Sequence, residues 1–521
     1  MDTPNDDALD DWRNRASLAL DAERPAAERR RAKGFRTARE NLDDLCDADS
    51  FVEYGQLAVA AQRQRRSVEE LRAETPADGV ITGLATINAE RFGAERSRAA
   101  VIVNDYTVLA GTQGYFHHLK LDRILAVVRE RRLPVVMYTE GGGGRPGDVD
   151  VLINNSGLDV PTFATWAALS GWVPRIAVNH GYCFAGNAAL FGSADITVAT
   201  RGSWIGMAGP AMIEGGGLGV FKPKDIGPIE VQAKNGVVDL VVEDEVEATA
   251  VARQLLGYFQ GHDPHWTARD QHVLRDALPK DRRFSYAVRP LIERLVDEDS
   301  FLELRRGYGA SLITGFVRIE GRPMALLAND TRVLGGALDA AAAEKASRFL
   351  QLANAFGLPV LSLCDTPGFM VGPDSESEAA VRRMSRLFVA GAHTDVPWVC
   401  VFLRKGYGLG AMAMAGGRFG RPDHTVAWPQ GEFGAMGLEG AVRLGFKREL
   451  DAVDDPAERE ALFTQLVDQL YERGKAVEAA SFLEIDAVID PADTRRVIAS
   501  TLATVRPTDT WPDRPRFVDP W

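Results

Sequence analysis

Cysteine is scarce. Cys46, Cys183, Cys364 and Cys400 are four thiols in 521 residues, and no two have the Cys-x2-Cys spacing of a zinc ribbon. That argues against a disulfide scaffold or a thiolate metal site, and the four read as reduced, mostly buried thiols. Histidine is sparse too, with eight copies. Only His117-His118 and the pair His262 and His265 cluster locally, without nearby cysteine or His-Glu-x-x-His spacing, so they read as ordinary surface histidines and no metal is expected. No apolar run reaches the roughly 18 residues of a membrane span, and the opening "MDTPNDDALDDWRNRASLAL" has no apolar stretch behind basic residues, so no secretion signal is read there. Positive charge is outweighed: the formal net charge is −13 and the pI about 5.3, which argues against a nucleic-acid partner. No Gly-x4-Gly-Lys-Ser/Thr loop occurs, so ATP chemistry is not expected of this chain. What remains is an expectation of a cytoplasmic protein of two or three domains by the usual domain size.

The chain is rich in self-similarity, which has to be found before a fold is assigned. "DADSFVEYG" at 47–55 returns as "DEDSFLELR" at 297–305, and Ile81-Thr82-Gly83 returns as Ile313-Thr314-Gly315. Asn104-Asp105 returns as Asn329-Asp330, "LPVVMYTEGG" from Leu133 as "LPVLSLCDTPG" from Leu358, and Gly181-Tyr182 as Gly406-Tyr407, all three at one and the same offset. A constant offset over so many segments implies two copies of one fold, with length differences confined to loops between Tyr54 and Asn104. Each copy alternates short β-rich runs such as "AAVIVND" and "PVVMYTE" with helical segments such as "HLKLDRILAVVRERR", the pattern of an α/β domain. The opening stretch, from Met1 to Thr75, reads as helix. The boundary is expected in the polar stretch 261–285, giving halves 1–268 and 269–521.

Two stretches repeat a strand, a Gly-Tyr turn and a helix of small residues: "RIAVNHGYCFAGNAAL" from Arg175 and "WVCVFLRKGYGLGAMAM" from Trp398. The first amides of such a helix lack intrahelical acceptors and favour a developing negative charge, and glycine lets an oxygen approach. Each turn is therefore a candidate oxyanion hole. The loops "GGGGRPGD" after Glu140 and "TPGFMVGPD" after Asp365 follow strands, where α/β sheets commonly bind ligands. Gly141 and Gly142 are read as giving close approach to a bulky ligand rather than as a flexible loop. The basic run Arg29, Arg30, Arg31 and Lys33 suits phosphates less well than it suits a solvated helix face. Cys183 has no identifiable base, and Glu432 and Glu439 read as loop or interface residues.

The segments "SLITGFVRIEGRPMALLAND", "AAAAEKASRFLQLANAFGLPVLSLCDTPGFMVG", "RKGYGLGAMAM" and "AWPQGEFGAMGLEGAV" resemble the carboxyltransferase β-subunits of biotin-dependent acyl-CoA carboxylases, of the propionyl-CoA carboxylase type. "GFRTARENLDDLCDADSFVEYG" resembles that family's opening element. The resemblance implies two crotonase-like domains, an acyl-CoA half followed by a biotin half, in a hexamer of two stacked trimers. It implies biotin carried on a separate biotin carboxylase or carrier subunit, coenzyme A as part of the substrate, and no metal. It places the acyl carbonyl at the amides of Ala185 and Gly186, and the ureido oxygen of carboxybiotin at those of Leu409 and Gly410. Gly406, Tyr407 and Gly408, with Gly141 and Gly142, would line the cofactor's path, and Phe184, Asn187 and Met412 would shape the acyl pocket. The N-terminal half departs from the family: "EGGGGRPGDVD" stands where Ser-Gly-Gly-Ala-Arg-Ile-Gln-Glu-Gly is usual, and "CFAGNA" where Cys-Ala-Gly-Gly-Ala is usual. That half looks more like single-chain long-chain acyl-CoA carboxylases. The alternatives are a crotonase-type hydratase, isomerase or decarboxylase, which needs carboxylate bases, and a non-catalytic scaffold subunit.

Overall fold

The computed structural model describes residues 4–20, 24–150, 158–505 and 515–521. It divides into two compact units, Met1–Gly261 with Pro512–Pro520, and His262–Trp511 with Trp521. The expected boundary after residue 268 lies inside the second unit, because His262 Nε2 lies 2.9 Å from the Glu320 carbonyl oxygen and the Asp263 amide donates to that of Gly321.

The first unit is built on strands β1 (Val52–Tyr54), β2 (Val80–Thr86), β3 (Arg98–Asn104), β4 (Val135–Tyr138), β5 (Arg175–Asn179), β6 (Tyr182–Phe184), β7 (Ile196–Thr200), β8 (Trp204–Gly206) and β9 (Leu240–Val242). Seven form one sheet in the order β1-β2-β3-β4-β5-β7-β9, while β6 and β8 pair separately. The second unit has β10 (Leu302–Leu304), β11 (Leu312–Ile319), β12 (Arg322–Asn329), β13 (Val360–Thr366), β14 (Trp398–Tyr407), β15 (His424–Ala427), β16 (Glu432–Gly434) and β17 (Ala487–Val488). Its order is β10-β11-β12-β13-β14-β15-β17, with β16 on the end of β14. In each sheet the first three strands are antiparallel and the rest parallel. Runs such as "AAVIVN" are apolar throughout because helices cover both faces of a parallel sheet.

The repeat is faithful at atomic detail. β3 meets β4 at Ala100 and Val135, and β12 meets β13 at Ala325 and Val360, the same register at the offset of the sequence repeat. Asp49 and Asp299 share the same left-handed turn, φ 57° in both. Lys120 donates to the carbonyls of Ala77 and Val80, and its counterpart Lys345 to those of Gly309 and Leu312. The length difference lies in two loops, as expected between Tyr54 and Asn104: residues 55–79 between β1 and β2, carrying the helix Val68–Glu74, answer to only 305–311 in the second copy, and 87–97 between β2 and β3 answer to 320–321. One reading is corrected. The stretch from Met1 to Thr75 is not all helix, since β1 lies in the repeated "DADSFVEYG" and pairs with β2. Among the described residues no helix is long and apolar enough to cross a membrane.

Candidate active site

Both Gly-Tyr turns stand at carboxyl ends of parallel strands. In the second unit β14 runs through Tyr407 straight into the helix Gly408–Met414. Gly408 holds φ at 59°, and a Cβ there would meet the Ala435 carbonyl oxygen at 3.0 Å. A Cβ on Gly406 would meet Phe433 at 2.7 Å, and one on Gly410 the Gly368 backbone at 2.6 Å. These glycines hold three chain segments close together. The amides of Leu409 and Gly410 lie in the first helical turn and donate to no backbone carbonyl among the described residues. Leu409 is 60% exposed, so that edge is open. Beside it lies a cavity of about 740 Å³ lined by Gly408, Met412, Phe433, Met436, Leu438 and Phe482, among others. A shallower concavity along the helix Pro456–Gly474 touches neither turn.

The first unit's turn is built differently. Ala185 sits at φ 51°, ψ −120° ahead of the helix Gly186–Gly192, a conformation that costs a residue with a Cβ about 1–3 kcal/mol and has to be held by its surroundings. The Phe184 amide donates to the Gly141 carbonyl (3.0 Å) and the Ala185 amide to that of Gly206 (3.1 Å). Ala185 therefore cannot offer its N–H to a ligand, and Gly186 is the first residue of the turn whose amide finds no backbone carbonyl. Gly141 and Gly142 likewise spend their amides on the carbonyls of Tyr182 and Ala110, and a Cβ on Gly141 would meet the Asn187 side-chain Nδ2 at 2.2 Å. The amides of Gly141 and Gly142 are thus committed within the chain, and Gly141 packs the glycine loop against the turn. Asn187, fully buried, accepts from Gly143 N (3.1 Å) and so clamps loop to helix, while Phe184 stacks on Tyr182. Arg145 pins the loop's far side, donating to Asp78 (2.5 Å) and the Thr112 carbonyl (2.7 Å).

A charged network lies beneath this turn. Arg30 Nη2 donates to Glu140 at 2.6 Å and lies 3.4 Å from Glu245, and His180 Nε2 is 3.1 Å from Glu140 and 3.4 Å from Glu245. All four are 8% exposed or less. Burial pushes the Glu140 carboxyl up, but His180 and Arg30 outweigh it and hold it below the ordinary range. In the second unit Asp365 takes the place of Glu140 and accepts from Tyr286 (2.8 Å), Arg404 (3.1 Å) and Lys405 N (3.1 Å). There burial wins, and its carboxyl is raised.

Other expectations divide. Cys183 is buried, with its thiol pushed up to about 12 by burial, and is no nucleophile. His117 is fully buried rather than a surface residue, and Arg30 is buried whereas Arg29, Arg31 and Lys33 are exposed. Glu432 is 1% exposed, faces Arg282 at 3.7 Å, and is raised chiefly by burial, so it is a core residue rather than a loop residue. Among the described residues no group of three His, Cys, Asp or Glu side chains is placed to hold a metal. The acidic strand ends Glu140 and Asp365 were visible in the repeat; their partners His180, Arg30 and Tyr286 carried no motif.

The sequence pattern of the carboxyl transferase domain matches residues 29–516. The chain belongs to this carboxyltransferase family. It is 31% identical over 513 residues to the propionyl-CoA carboxylase beta chain of Saccharopolyspora erythraea, covering 94% of this chain and 91% of that one. Among solved structures it is similar to a single-chain, multi-domain long-chain acyl-CoA carboxylase, at 55% identity and a TM-score of 0.90 over 96% of this chain. The chain spans about half, 49%, of that protein. It is also similar to the transcarboxylase 12S hexamer determined with methylmalonyl-CoA, at 29% identity and a TM-score of 0.84, covering 100% of this chain and 99% of that one. The two sheets are accordingly a tandem pair of crotonase-like domains, and the carboxyltransferase is an enzyme.

Proposed function

We propose that this carboxyltransferase moves a carboxyl group from carboxybiotin, presented by a separate biotin carboxylase or carrier subunit, to the α-carbon of an acyl-CoA. The observation that carries this reading is the pair of repeat-related turns with open first-turn amides. Bound biotin supplies the carboxyl group and, at the ureido nitrogen it vacates, the base for the α-proton. The chain's own part is to hold charge. The Gly186 amide faces the thioester oxygen as it takes on enolate charge, and the amides of Leu409 and Gly410 face the ureido oxygen; Gly406, Tyr407 and Gly408 shape that second turn. Losing one such donor typically costs roughly 3–4 kcal/mol. The second turn's open amides and adjoining cavity fit a small cyclic urea. Met412 lines that cavity, and the likeness to a long-chain carboxylase favours a long acyl chain.

A hydratase would need a free carboxylate at a turn, whereas Glu140 and Asp365 are buried and committed to Arg30, His180, Tyr286 and Arg404. A hexamer like that of the 12S protein, pairing the first half of one protomer with the second half of another, brings unlike turns together. The test supplies this chain with a carboxybiotin-loaded carrier and a panel of acyl-CoAs. Labelled carboxyl should appear on acyl-CoA, none should appear from ATP and bicarbonate with the chain alone, and light scattering should find the active species oligomeric. Carboxylation driven by ATP without the carrier, or full activity as a monomer, would refute the reading.

A further inference from the structure

At the first turn Ala185 has given its amide to Gly206, whereas its repeat counterpart Gly410 gives its own to no backbone carbonyl among the described residues. The missing donor has a candidate neighbour. The carboxamide of Gln113 lies directly against Gly186: a Cβ on Gly186 would sit 2.2 Å from Gln113 Oε1 and 3.1 Å from its Cδ. Gln113 is 4% exposed, and its Nε2 is buried with no hydrogen-bond partner among the described residues. A buried donor left unpaired is costly to the fold and calls for an explanation. The residue is also fixed in place. Its amide donates to the Gly143 carbonyl at 2.7 Å, and its own carbonyl accepts from Arg145 N at 2.8 Å, so the side chain springs from a backbone locked on both sides. The repeat supplies the comparison. Leu338, the counterpart of Gln113 in the second copy, makes the same backbone bond to Gly368 (3.0 Å) but carries no donor, and there the turn has kept its amides.

We infer that Gln113 is a catalytic residue: its carboxamide N–H is the second donor to the thioester oxygen, replacing the amide that Ala185 has withdrawn. The two ends of a carboxamide exchange by rotation about the last side-chain bond, so the same residue can present its N–H to an oxygen beside Gly186. The inference rests on the proposed acyl-CoA reading. It adds that one copy of the fold has exchanged a backbone donor for a side-chain donor.

The experiment uses the full-length chain with its carboxybiotin-loaded carrier, and compares Gln113→Met, near in shape but without a donor, with Gln113→Leu, the residue of the second copy. Two rates are read in each: carboxyl transfer to acyl-CoA, and release of CO2 from carboxybiotin without acyl-CoA. Both variants should lower kcat for transfer about 100-fold or more, change KM for acyl-CoA less than threefold, and leave CO2 release at the parent's rate. Gln113→His, which restores an N–H, should recover part of kcat. Transfer within threefold of the parent in either folded variant overturns the inference, as does a parallel fall in both rates. Should the unaltered chain fail to transfer at all, the function reading falls instead, so the two failures are distinct.

Discussion

Single residues explain where this fold stores cost. Lys345 is 2% exposed, its ammonium held by two carbonyls, and burial pushes its pKa down to about 7 from the ordinary lysine value of 10.5; its counterpart Lys120 is pushed down to about 8. Between about pH 7 and 10.5 the unfolded chain binds more protons at Lys345 than the folded one, so stability rises with pH through that window and the penalty is fully present below it. Thermal melts of the parent and of Lys345→Met from about pH 6.5 to 9.5 should show the parent gaining on the variant as pH rises. A constant difference would mean that the two carbonyls keep the lysine charged throughout. Gly410 shows cost of another kind. It has no room for a side chain against Gly368, so its smallness serves packing as much as access.

At the scale of elements, the two strand-end carboxylates tie each turn to the segment that opens its repeat. Arg30, in the helix Pro25–Arg31, reaches Glu140, and Tyr286, just ahead of the helix Val288–Leu295, reaches Asp365. Removing one member of a buried charge network leaves its partners uncompensated, at about 3–5 kcal/mol. Arg30→Met and Glu140→Gln should each lower the denaturation midpoint, and the double variant should cost clearly less than their sum, because the two share one interaction. Additive losses in denaturant titrations would show that the network is not coupled. This level was partly legible in the sequence. Strand–turn–helix order, the repeat and Glu140 opposite Asp365 all follow from periodicity and offset. Arg30 was not legible, because a basic run on a short helix looks the same whether one member is buried or all are solvated. Nor was the loss of the Ala185 amide: it depends on β8 returning beside β6, a pairing three residues long, and no local pattern announces it.

For the whole molecule, one fold used twice gives two anion-stabilising turns that have diverged in construction. The second keeps a plain helix start; the first is strained at Ala185 and seated on a glycine loop. In the proposed mechanism the turns serve different charges, the first the thioester and the second the ureido oxygen. Proline is tolerated in a helix's first turn yet removes an N–H, so Leu409→Pro deletes one proposed donor of the second turn, while Gly186→Pro removes its own amide and, through a Cβ that would meet Gln113 Oε1 at 2.2 Å, displaces the other proposed donor of the first. Steady-state CO2 release from carboxybiotin, measured beside transfer to acyl-CoA in variants that keep the parent's oligomeric state and melting midpoint, decides the matter. Gly186→Pro should lose transfer and retain CO2 release, and Leu409→Pro should lose both; equal residual CO2 release in the two variants would contradict the division of labour.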